Sequence, residues 1–146
     1  MVLDPASDRD LLLVGGGTGL APLKALVERV TEDDVPRRAD MFVGVRTSRH
    51  LYDLDDLRRL EERNTWLTVT PVVADGDFDG ETGLVGDVVL SRGPWTSRDV
   101  YVSGSPSMVR STVDRLVQAR VPRQRIKVEE FAPSRPSPVS EGERTR

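Results

Sequence analysis

The chain has 146 residues, with 21 Lys+Arg against 24 Asp+Glu, one His and no Cys; that is enough for one domain with a substantial core. No apolar run approaches the roughly 18 residues of a membrane span, and a net charge of −3 does not favour nucleic acid as a general partner. Without Cys there are no disulfides, zinc thiolates or Cys nucleophiles, and His50 alone argues against a His-based metal site or a Ser-His-Asp triad.

Met1 to Asp10 lacks the basic flank and apolar core of a secretory signal, so a cytoplasmic protein is expected. Asp8 to Val14 ends in Leu11-Leu12-Leu13-Val14 and predicts a first strand. Gly15-Gly16-Gly17-Thr18-Gly19 follows, then a helix from about Leu20 to Val30 with Leu20, Leu23, Leu26, Val27 and Val30 on one face. Pro22 falls where a first-turn proline is tolerated. Thr31 to Arg38 reads as a loop, Asp40 to Val45 as a buried strand, and Asp53 to Arg63 as a helix with Leu54, Leu57 and Leu60 inward.

Trp66 to Val73 predicts a third strand and Asp75 to Thr82 a polar loop. Asp75, Asp77 and Asp79 have calcium-loop spacing, but the required glycine and distant Glu are missing. Leu84 to Ser91 predicts a short helix ended by Gly93-Pro94. Asp99 to Ser103 is a fourth strand, Met108 to Arg120 a helix with Met108, Val109, Val113, Leu116 and Val117 inward, and Arg125 to Glu129 a fifth strand. Strands alternating with helices predict an α/β fold. Its open, doubly wound parallel sheet has five strands in the order 3-2-1-4-5, with helices on both faces.

In such sheets ligands bind beyond the carboxyl ends of the strands, where the strand order reverses. Four glycines in the five residues from Gly15 to Gly19 exceed what a tight turn needs. With the amino terminus of the next helix they suit a pyrophosphate. The run matches neither G-x-G-x-x-G nor a P-loop. Ser103-Gly104-Ser105-Pro106-Ser107-Met108 is a second small-residue turn. It leaves room for a flat ring or ribose, and it also reads as a helix start capped by Ser105 with Pro106 in the first position.

Gly16-Gly17-Thr18-Gly19-Leu20-Ala21-Pro22 resembles the G-G-T-G-x-x-P motif of the ferredoxin–NADP reductase superfamily. Ser103-Gly104-Ser105-Pro106-Ser107-Met108 resembles its C-G-P/S-x-x-M motif, and Val128-Glu129-Glu130-Phe131 its closing E-x-aromatic segment. The resemblance covers about residues 8–132, and Trp66, Tyr101 and Leu51-Tyr52-Asp53 look most like flavohaemoglobin-type and oxygenase-reductase proteins. It implies an NAD(P)-binding reductase domain over 1–132, followed by a Pro/Ser/charged tail over 133–146, expected to be disordered.

By the same resemblance, FAD is held by a separate or missing β-barrel domain, because no R-x-Y-S/T motif precedes Asp8. Hydride passes from the nicotinamide to that flavin, and electrons go on to haem or another acceptor. Gly16, Gly17, Thr18 and Gly19 would hold the pyrophosphate, with Pro22 shaping the helix start. Gly104, Ser105 and Met108 complete the second turn. Arg46 either touches phosphate or is an exposed strand-end residue. Asp75 either repels a 2′-phosphate, giving NADH over NADPH, or serves as a turn residue before Gly76.

Ser103 stands where the family has Cys beside the nicotinamide and would tune geometry. Glu129 would position the ring and Phe131 the flavin face; without a flavin domain both are expected at an exposed edge. The alternative is a non-catalytic nucleotide-binding module that retains the pyrophosphate turn.

Overall fold

The computed structural model describes residues 1–17, 20–32, 37–46, 54–74 and 80–131. Its elements are β1 (Leu11–Gly16), α1 (Leu20–Val30), β2 (Ala39–Val45), α2 (Leu54–Arg63), β3 (Leu67–Val73), β4 (Glu81–Thr82), α3 (Val85–Ser91), β5 (Asp99–Gly104), α4 (Pro106–Gln118) and β6 (Ile126–Glu130). All strands are parallel, in the order β4-β3-β2-β1-β5-β6.

Alternation along each strand explains why helices cover both faces. In β1, Leu11 and Leu13 join one core cluster with Leu23, Val27 and Val30 of α1 and Leu57 of α2. Leu12 and Val14 join the opposite cluster with Val88 and Val89 of α3 and Val109 and Leu116 of α4. A strand apolar on both faces is buried throughout, as Leu11 to Val14 are. Gly44 lets α3 approach β2: a Cβ there would lie 2.7 Å from Val85 Cβ.

Five strands keep the expected relative order, and β4 is a sixth at the edge. It pairs Glu81 and Thr82 with Val72 and Val73, inside the stretch expected as a loop. Two residues are too few to show a period. The helix expected from Met108 begins at Pro106, because Ser105 caps it: the Met108 amide donates to Ser105 Oγ at 3.3 Å. It ends at Gln118 in a Schellman turn, with the Val121 amide donating to Leu116 O and that of Arg120 to Val117 O. Arg120 occupies the left-handed position at φ 73°. The inward stripe of α4 is Val109, Thr112 and Leu116; Val117, expected inward, is 43% exposed. Asp53 and the tail over 133–146 lie outside the described residues.

A polar clamp closes the amino ends of the strands. Arg37 and Asp99, both buried, pair at 2.9 Å, and Arg98 pairs with Asp40 at 2.9 Å while lying over the Trp95 ring at 5.0 Å. Residues before β1 run down the α1 face of the sheet. Leu3 enters the core there, and the Asp4 amide donates to the Tyr101 hydroxyl at 3.2 Å. No helix among the described residues is long and apolar enough to cross a membrane.

Candidate nucleotide site

The chain adds strands outward from β1 through β2 and β3 to β4, then returns to place β5 on the other side of β1. The carboxyl ends of β1 and β5 therefore flank the crevice where such sheets take ligands. Parallel register lines up three candidate positions across it: Gly15 is opposite Ser103, and Ser103 is opposite Glu129. Gly104 is opposite Glu130, and its carbonyl accepts from the Phe131 amide at 2.9 Å. Two of the sequence motifs and the closing segment thus meet at one sheet end.

Gly17 turns the chain out of β1 at φ 56°, a conformation that L side chains rarely adopt. A Cβ built there would meet nothing within 4 Å, so the space beside it is open. The first turn of α1 carries no acidic residue, so no carboxylate of that turn offsets the positive end of the helix. Pro22, half-buried, is the third residue of that helix. The Met108 thioether lies against Gly16 and Gly104, fixing the floor of the crevice on the α4 side.

Ser103 is fully buried, and its Oγ has no hydrogen-bond partner among the described residues. A buried hydroxyl without a partner costs about 1–3 kcal/mol. Glu129 is paired with the Met1 ammonium at 3.1 Å, its side chain 35% exposed. Phe131 is also half-buried, so neither residue is fully exposed as expected. Part of the cover over Glu129 comes from Met1, in the segment before β1.

Arg46 is exposed immediately after β2. Thr18, Gly19 and Asp75 lie outside the described residues. No group of three or more His, Asp or Glu side chains that could hold a metal ion occurs among the described residues. An open left-handed glycine, a helix start free of acid and an unpartnered hydroxyl at the switch point fit a dinucleotide.

Comparison with known proteins points the same way. Residues 13–114 match the oxidoreductase NAD-binding domain family. The chain is 36% identical over 107 residues to the ferredoxin–NAD(P)+ reductase component of the naphthalene 1,2-dioxygenase system of Pseudomonas putida, covering 69% of this chain and 32% of that protein. It is 31% identical over 141 residues to the reductase subunit of an aromatic O-demethylase from Amycolatopsis, covering 89% and 41%. The crystal structure of an Amycolatopsis cytochrome P450 reductase superposes with a TM-score of 0.78 at 29% identity, over 90% of this chain and 41% of that one. A flavohaemoglobin from Malassezia yamatoensis, at 19% identity and a TM-score of 0.76 over 89% and 33%, shares the fold. The chain spans only about a third to two-fifths of the length of these relatives.

Proposed function

The chain belongs to the oxidoreductase NAD-binding domain family, and from that premise we propose that it is the pyridine-nucleotide half of a flavin-dependent reductase. The observation that carries this reading is the row Gly15–Ser103–Glu129 beside the open turn at Gly17. A bound nicotinamide coenzyme supplies a hydride, and a flavin on an FAD-binding domain accepts it. This chain needs no nucleophile of its own; its residues bind and orient.

In this reading Gly16, Gly17, Thr18 and Gly19 hold the pyrophosphate with the amides that open α1, and Pro22 sets the helix start. Ser103 donates its unpartnered hydroxyl hydrogen bond to the nicotinamide end, where a buried donor fixes ring orientation. Gly104, Ser105 and Met108 shape the wall beside it. Glu129 and Phe131 stand at the edge that a flavin domain would cover. Arg46 contributes a cation toward phosphate, and Asp75 favours NADH by repelling a 2′-phosphate. Haem or another centre downstream of the flavin receives the electrons, in keeping with relatives named as reductase components.

The test mixes this chain with the flavin domain of a related reductase and follows flavin bleaching when NADH or NADPH is added. Bleaching by NADH in preference to NADPH, with the preference reduced in Asp75→Ala, is expected. Coenzyme binding without bleaching by a verified partner would make the chain a non-catalytic nucleotide module instead.

A further inference from the structure

A second pocket lies on the α1 face, at the opposite end of β5 from Ser103. It is a solvent-open cleft of about 350 Å³ between the segment before β1 and the start of β6. Roughly 300 Å³ is the lower end for small-molecule sites. Its lining is polar and carries more positive than negative charge. Arg9, Arg125 and Lys127 line it together with Asp4 and Asp99; Asp99 is paired with Arg37 and, at 3.5 Å, with Arg9, and one Arg125 nitrogen donates to the Thr96 carbonyl.

Three groups in it have bonding capacity unused by the protein. Tyr101 is 1% exposed; its hydroxyl accepts from the Asp4 amide, and its own proton has no acceptor among the described residues. Lys127, exposed on β6, has no partner among the described residues. Arg9 spends one guanidinium nitrogen on Asp99 and Ser7, leaving further N–H groups free to donate. Gln124 adds an amide at the rim. Ammonium, guanidinium, phenol and amide donors converging on one small space suit a dianionic oxyanion.

We propose that this pocket binds a phosphate dianion, either free or as the monoester of a small molecule. The site is independent of the coenzyme crevice: it uses none of the residues at the carboxyl ends of β1 and β5, and its function does not depend on hydride transfer.

The test titrates the full chain with inorganic phosphate, and separately with glycerol 3-phosphate, at constant ionic strength made up with chloride. Amide shifts are followed by NMR. Saturable shifts at Tyr101 and at 124–127 are expected, resolved from any at Gly16 and Gly17. Lys127→Gln, a change at an exposed position, should weaken binding about tenfold, and Tyr101→Phe should weaken it in a folded protein. Tighter binding of the monoester would identify an esterified ligand; equal binding would identify the free ion. No saturable shift at those residues, or shifts unaltered in Lys127→Gln, would overturn the proposal.

Discussion

Ser103 and Glu129 stand opposite one another on adjacent parallel strands. Ser103 is buried and its hydroxyl has no partner among the described residues, whereas Glu129 reaches solvent and holds the Met1 ammonium. One residue therefore has an unmade hydrogen bond, and the other is a partly exposed carboxylate. Removing the unpartnered hydroxyl relieves a desolvation cost. Ser103→Ala should raise stability by about 1 kcal/mol and lower coenzyme affinity about fivefold, the worth of one neutral hydrogen bond. Urea unfolding and nucleotide titration of the same variant measure both. Unchanged affinity would leave Ser103 with no part in binding.

Gly17 separates backbone strain from ligand contact. A Cβ there is strained at φ 56° but touches no protein atom within 4 Å. Gly17→Ala should therefore cost about 1 kcal/mol of stability. Any further loss of nucleotide affinity reports a ligand passing through that space. Calorimetric titration with NAD⁺ beside thermal unfolding tests this, and full affinity in the variant would place the pyrophosphate elsewhere.

The parts of this fold legible in the sequence were those with a local signature. Leu11 to Val14 announced a strand buried on both faces, and the glycines after it a turn at the crevice. Ser105 and Pro106 announced a helix start. The two-residue β4 had no period to read. The Arg37–Asp99 pair joins residues 62 apart, and the Met1–Glu129 pair residues 128 apart, so neither had a local pattern. Leu3 gave no periodic signal either, although it belongs to the core. The glycine and small-residue turns at the candidate site were legible because local backbone geometry dictates them, whereas the clamp and the covering segment depend on which strands become neighbours.

The Arg37–Asp99 pair is buried on both sides, with side chains 6% and 9% exposed. Removing Arg37 leaves the buried Asp99 carboxylate with only the long 3.5 Å contact to the partly exposed Arg9. Arg37→Met should cost about 3 kcal/mol. Adding Asp99→Val should return part of that loss, since no poorly compensated buried carboxylate then remains. A double-mutant cycle by urea unfolding reads the coupling; additive single effects would show the pair to be uncoupled.

Arg120 sits in the left-handed position of the turn that ends α4, where both reverse hydrogen bonds are made. Glycine adopts that conformation without the Cβ clash. Arg120→Gly should stabilise the chain by about 0.5–1 kcal/mol, after the added chain entropy of glycine is offset. Thermal unfolding checks the sign, and destabilisation would mean that the Arg120 side chain contributes more than its backbone costs.

Tyr101 gives the chain a base-labile contribution to stability. Burial raises its hydroxyl pKa above the ordinary value, opposed by the hydrogen bond from the Asp4 amide; the Asp99 carboxylate adds to the rise and the Arg37 guanidinium reduces it. A raised pKa in the folded state means that the unfolded chain loses this proton first. The contribution is thus complete below about pH 10, the ordinary tyrosine value, and is lost as pH rises through the higher folded-state value. Stability of the parent chain should fall across that alkaline range. Tyr101→Phe should be less stable at neutral pH by about 1 kcal/mol, the Asp4 amide having lost its acceptor. Its alkaline decline should be shallower than the parent's. Comparing the two urea midpoints at each pH subtracts Tyr52, the other tyrosine of the chain. Parallel curves would mean that the Tyr101 proton is not coupled to folding.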